Sequence, residues 1–123
     1  MVKLSNKIKN KKILIIGGCG FIGQNLTSTM YKNGFTNIKT ADVHIPRDAR
    51  FMKFYNYCDV INYEILEKLF TNFKPQIIIN LAANPDLNKK VITEFPEIYN
   101  GVKNIIKCVN KFDFVENYIE TST

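Results

Sequence analysis

Ile13-Leu14-Ile15-Ile16-Gly17-Gly18-Cys19-Gly20-Phe21-Ile22-Gly23 is the stretch that decides the fold. Four apolar residues in a row, with no polar alternation, read as a strand covered on both faces, as in parallel sheets. The run stops abruptly at a glycine cluster. Phe21, Ile22, Leu26 and Met30 then fall near helical spacing, and Asn33-Gly34 closes the helix because both residues tolerate left-handed backbone. Strand, glycine turn and helix follow in that order.

Outward from this unit the alternation continues. A second strand is expected over residues 37–43, ending near Ala41-Asp42, then a loop over 44–50 and a short third strand over 51–57. Asn62 is placed to cap a helix through Tyr63, Ile65, Leu66, Leu69 and Phe70, with Glu64 in its first turn. Lys74-Pro75 breaks that pattern, and residues 76–81, with Ile77, Ile78 and Ile79 in a row, form a second buried strand. Residues 84–96 stay open between loop and short helix. Ile98, Val102, Ile105, Ile106 and Val109 mark an amphipathic helix over 97–110, and residues 114–121 a fifth strand. The fold class is α/β, a doubly wound, mostly parallel sheet of about five strands. Residues 1–10 are polar and lysine-spaced, and read as a frayed leader; residues 11–123 read as a single domain.

Charge and cysteine content narrow the function. The 123 residues carry 17 Lys+Arg against 11 Asp+Glu, a formal charge of +6. The lysines are scattered apart from Lys7, Lys9, Lys11 and Lys12, and only Arg47 and Arg50 offer a bidentate fork. A nucleic-acid partner is therefore not expected. Cys19, Cys58 and Cys108 lie far apart in apolar surroundings, which excludes a zinc or dithiol motif and marks them as buried thiols. No apolar run approaches the roughly 18 residues that a membrane span needs. No signal-peptide pattern opens the chain either, so a cytoplasmic protein is expected. His44 reads as a surface loop residue.

The glycines carry the chemistry. Gly17, Gly20 and Gly23 are spaced G-x-x-G-x-x-G between strand and helix. One glycine permits the tight exit from the strand, one lets the backbone approach a pyrophosphate, and the last brings helix against sheet. The amides opening the helix then meet phosphate at its positive end. The Lys-Ser/Thr ending of a triphosphate loop is absent. Asp42, 19 residues after Gly23, falls at the end of the second strand. A carboxylate there accepts from ribose hydroxyls and repels a 2′-phosphate, favouring NAD over NADP. Arg47 and Arg50 are near enough in sequence to soften that preference.

These residues resemble the N-terminal signature of the NAD-dependent epimerase/dehydratase family, the extended short-chain dehydrogenases. The resemblance implies a Rossmann-like fold and cofactor contacts at Gly17, Gly20, Phe21, Ile22 and Gly23. Asp59-Val60 is similar to the family's adenine-holding Asp-hydrophobic pair. Asn80-Leu81-Ala82-Ala83 resembles its His-hydrophobic-Ala-Ala motif, with Asn in place of His; Leu81, Ala82 and Ala83 would line the cofactor. Pro96 and Gly101-Val102-Lys103-Asn104 resemble its proline and Gly-Thr-x-Asn helix, and Glu120-Thr121-Ser122-Thr123 the approach to the active site.

The same resemblance implies a catalytic Tyr-x-x-x-Lys pair beyond the fifth strand and a C-terminal domain for a nucleotide-sugar. Nothing after Thr123 supplies either. The expectation is therefore a truncated cofactor-binding part, inactive alone, with no catalytic residue assigned and no metal site. A nucleotide-sugar is expected as partner only if a C-terminal part completes the site. Alternatives are a stand-alone dinucleotide-binding or protein-interaction module, and a subunit completed by a second polypeptide. A homodimer is expected only by resemblance, through the 97–110 helix.

Overall fold

The computed structural model describes residues 6–82 and 96–121. Strand β1 (Ile13–Ile16) leads through the glycine turn into helix α2 (Phe21–Lys32), preceded by a single helical turn, α1 (Asn6–Lys9). Strand β2 (Ile38–Asp42), a 3₁₀ segment (Ala49–Phe54) and strand β3 (Tyr55–Tyr57) come next. Helix α3 (Tyr63–Phe73), strand β4 (Ile77–Asn80), helix α4 (Pro96–Lys111) and strand β5 (Asn117–Glu120) complete the order. All pairings are parallel and the spatial order is β3-β2-β1-β4-β5. The expected α/β class and five-stranded Rossmann-like sheet are what the chain forms.

β1 lies at the centre because every one of its residues is at most 1% exposed. Strand geometry sends alternate side chains to opposite faces. Leu14 and Ile16 join Leu66, Phe70, Ile78, Ile105 and Cys108 beneath α3 and α4. Ile13 and Ile15 join Phe35, Ile38, Phe54 and Ile77, with Leu26 and Met30 of α2 packed over them. An unbroken apolar run is thus required for a strand with a helical layer on each side.

Strand order reverses at β1 and β4, which are neighbours in space but not in sequence. Helix α2, after β1, packs on one face of the sheet and α4, after β4, on the other, and the crevice beside such a switch is the place where doubly wound sheets hold ligands.

Three local expectations change. The third strand is only Tyr55–Tyr57, because Ala49–Phe54 winds as a 3₁₀ segment with the Asp48 side chain accepting from Arg50 N. Positions i and i+3 of such a helix share a face. Phe51 and Phe54 therefore both reach the α2-side core, their ring centroids 6.3 Å apart, whereas a strand would have split them. The fifth strand starts at Asn117 rather than 114, since Phe112 and Phe114 stack at 4.9 Å and pack with Val115 onto the α3/α4 core. Within the expected leader, α1 forms a turn and Ile8 packs on the α2-side core. The Asn62 cap is as expected: its side chain accepts from Ile65 N at 3.3 Å.

The three thiols are buried, and burial pushes Cys19 up to about 11, Cys58 to about 12 and Cys108 to about 11. Each native pKa lies above its unfolded value, so this stabilisation is complete below about pH 9 and is lost as pH rises through the native values. Folded protein at pH 8 is expected to leave all three thiols unlabelled by a disulfide-exchange reagent, with three reacting in denaturant. Urea midpoints are expected to fall between pH 8 and pH 10.5.

Candidate functional site

The glycine turn is built by close packing. Gly17 has φ +77°, and a Cβ on it would lie 2.7 Å from Ala82 N and 2.8 Å from Leu81 C. A Cβ on Gly18 would meet the Thr40 side chain at 2.6 Å, and one on Gly23 would meet Gly18 Cα at 2.5 Å. These three glycines are required by the protein itself. Gly20 differs, because a Cβ there would meet nothing nearer than Gly17 O at 3.6 Å. Its side-chain position faces open space at the start of α2, where no side chain caps the helix and no acidic residue occupies the first turn. That end keeps its partial positive charge and its unpaired amides for an anion.

A groove of about 690 Å³ runs from this turn along the C-terminal ends of β1, β2 and β3. Ile16, Ala41, Cys58 and Val60 give it apolar walls, while Asp42 and Asp59 supply carboxylates. Leu81 and Ala82 form a shelf on the β4 side, with Leu81 N donating to Ile16 O at 2.7 Å. Asp42 Oδ2 accepts from Cys19 N at 3.1 Å and Oδ1 from His44 N at 3.0 Å. The acidic residue thereby ties the glycine turn to the end of β2 and still faces the groove. Asp59 Oδ1 accepts from Ile61 N at 3.1 Å, which turns the chain beside Val60.

Gly17, Gly20, Asp42, Asp59, Val60, Leu81 and Ala82 border one groove, although the sequence spreads them over 66 positions. Gly23 lies behind the turn and shapes it through packing. Phe21 and Ile22 do not line the groove. Their side chains are 86% and 66% exposed, and Phe21 instead borders a smaller hollow with Arg47 and Gln24. Ala83 lies outside the described residues, as do Ser122 and Thr123. Of the two arginines, Arg47 borders the groove. Arg50 is engaged by Asp48, its Nη2 donating to Oδ2 at 2.6 Å, and that pairing holds the Asp48 carboxyl down at about 2. His44 sits exposed on the groove rim.

One Tyr-x-x-x-Lys spacing does occur, at Tyr99 and Lys103. It lies on α4, ahead of β5 rather than beyond it, and the Tyr99 side chain is outside the described residues. Among the described residues, no cluster of His, Cys, Asp or Glu is arranged for a metal, and no helix is long and apolar enough to cross a membrane.

The groove also depends on α4. A Cβ on Gly101 would lie 2.5 Å from Val60 Cγ2, and Asn104 Nδ2 donates to Val60 O at 2.8 Å and to Ile61 O at 2.9 Å. The motif residues of this helix hold the Asp59–Val60 wall from behind. A glycine in the middle of an amphipathic helix was the signal for this contact, since it costs about 1 kcal/mol against alanine unless something approaches closely. Gly101→Ala is expected to displace Val60 and lower the melting temperature by about 4–8 °C, the shift for about 1 kcal/mol in a small domain. Helix propensity alone would raise it, so the direction of the shift in a thermal melt decides.

Residues 13–123 match the model of the NAD dependent epimerase/dehydratase family. Protein CapI of Staphylococcus aureus is 27% identical over 128 residues, covering 91% of this chain and 37% of its own length. The structure of L-threonine dehydrogenase from Phytophthora infestans superposes with TM-score 0.77 at 20% identity, over 91% of this chain and 36% of that one. WbmG of Bordetella bronchiseptica, solved in complex with NAD and UDP, superposes with TM-score 0.73 at 22% identity, over 90% and 37%. The chain spans little more than a third of the curated relatives it matches.

Proposed function

Because the chain belongs to the NAD dependent epimerase/dehydratase family, we propose that its groove holds a nicotinamide dinucleotide, with NAD preferred over NADP. The segment is then the cofactor-holding N-terminal part of a cytoplasmic nucleotide-sugar epimerase/dehydratase-like oxidoreductase. The observation that carries this reading is Gly20. It is the one glycine of the turn that the protein's own packing does not demand, and it opens onto the amides of α2.

The residues present fit the group. Pyrophosphate belongs at Gly20 and the first turn of α2, where backbone amides and the helix dipole meet its charge. Adenosine ribose belongs beside Asp42, and the adenine between the apolar walls near Asp59 and Val60. Bound there, the dinucleotide supplies a hydride acceptor. The 123 residues supply the cradle and its orientation, and proton transfer is left to groups outside the groove. A nucleotide-sugar is favoured as substrate class by the family match, and the UDP solved with WbmG is the nucleotide part of such a substrate.

Calorimetric titration of NAD and of NADP into the folded chain tests the reading. Saturable binding with NAD the tighter ligand is the expected result. A folded chain that binds neither would overturn it.

A further inference from the structure

The far edge of the sheet reaches the groove through one buried amide. Asn80 closes β4 and is 1% exposed. Its Nδ2 donates to both oxygens of Glu120 on β5, at 3.2 Å and 2.9 Å, while its Oδ1 accepts from Ala82 N at 3.0 Å. Register explains the meeting, because Asn80 pairs with Glu120 across the parallel strands and both side chains leave the same face. Tyr118, two residues earlier on that face, donates its hydroxyl to Glu120 as well. Thr121 Oγ1 completes the cluster by donating to Asn80 O at 2.8 Å.

An amide side chain has two orientations of similar shape, and its partners choose between them. A carboxylate only accepts and the Ala82 N–H only donates. Glu120 therefore sets the direction of the Asn80 amide, and that direction points its oxygen at Ala82. The Ala82 nitrogen is also the atom nearest to a Cβ on Gly17, so its peptide is the surface against which the glycine turn rests. A carboxylate on an exposed edge strand thus determines where a backbone group beside the groove sits.

We infer that Glu120, acting through Asn80, is a positioning residue for the dinucleotide groove, holding the Leu81–Ala82 shelf against the glycine turn. This rests on the dinucleotide reading for its effect on affinity, but not for its effect on the shelf itself. Hydrogen bonding through Asn80 couples the Glu120 carboxylate to the shelf. Nothing in the sequence pattern marks this pair, since an Asn and a Glu 40 positions apart become partners only through strand register.

Two variants of the full 123-residue chain decide it. Glu120→Gln keeps an oxygen to accept from Asn80, whereas Glu120→Leu removes every acceptor. Amide hydrogen exchange at Ala82 is expected to accelerate in Glu120→Leu and to stay near wild type in Glu120→Gln, with amides of β1 unchanged in both. NAD affinity is expected to weaken about three- to tenfold in Glu120→Leu, the scale of one hydrogen bond, and to be rescued in Glu120→Gln. Unchanged exchange at Ala82 in Glu120→Leu would overturn the inference whether or not the chain binds NAD. Equal affinity of wild type and Glu120→Leu would overturn it too, while a wild type that binds no dinucleotide counts against the proposed function and leaves the exchange arm to judge the shelf.

Discussion

Gly20→Ala is expected to leave the stability of the chain nearly unchanged and to weaken dinucleotide binding by about 10- to 100-fold, while Gly23→Ala is expected to destabilise the fold by about 3 kcal/mol. Both replace a glycine of the same turn by the same methyl group. At Gly20 the methyl meets only Gly17 O, at 3.6 Å, and φ of −75° suits any residue. The folding cost is that of a poorer N-cap, within about 1 kcal/mol. The methyl instead occupies the space above the α2 amides, so a pyrophosphate cannot approach them, and each 1.4 kcal/mol lost is about tenfold in affinity.

At Gly23 the methyl falls 2.5 Å from Gly18 Cα and 2.6 Å from Gly17 O, backbone atoms that cannot swing aside. Overpacking of that kind reaches about 3 kcal/mol, a large part of the 5–15 kcal/mol that holds a domain together. Circular dichroism melts and NAD titrations on both variants check the contrast. A stable Gly20→Ala chain with wild-type affinity would remove the pyrophosphate from this turn.

That contrast also shows what the sequence made legible. The spacing of three glycines after Ile13–Ile16 marks the turn and divides its roles among strand exit, phosphate approach and helix packing. The approach distances add which positions are closed by the protein's own atoms and which one faces open space. The two buried strands were readable because burial on both faces leaves an apolar run with no polar alternation, Ile13–Ile16 in one and Ile77, Ile78 and Ile79 in the other. Residues 51–57 were not, because Phe51 and Phe54 satisfy a strand's composition while their three-residue spacing serves a 3₁₀ turn.

Asp42 was legible as a strand-end carboxylate, whereas Asp59 was marked only by the family resemblance of Asp59-Val60. The links from α4 to Val60 and from Glu120 to Asn80 join residues 40 or more positions apart, and local pattern carries no such information. Phe21 and Ile22 expose their side chains outside the groove's lining, so any contact they make with a phosphate falls to their backbone amides at the start of α2.

Asp42→Ala is expected to lower NAD affinity by about tenfold or more, the scale of hydrogen bonds to a charged group, and to lower NADP affinity much less. The carboxylate faces the groove while accepting from Cys19 N and His44 N, so each oxygen keeps a lone pair for a ribose hydroxyl. Its charge opposes a 2′-phosphate at the same place, and Arg47 is the cation on the groove that would welcome one. Removing the carboxylate therefore removes an attraction for NAD and a repulsion for NADP, and the ratio of the two affinities moves toward NADP.

A purely structural role gives a different result. Loss of the Cys19 and His44 bonds loosens the glycine turn for both cofactors alike, so their affinities would fall together and their ratio would hold. Arg47→Ala provides the complement: NADP binding weakens, NAD binding stays within about twofold, and the melting temperature does not move, as for an exposed side chain. Titrating both dinucleotides into wild type, Asp42→Ala and Arg47→Ala separates these cases. An Asp42→Ala chain that binds NAD as tightly as wild type would move the ribose away from the end of β2.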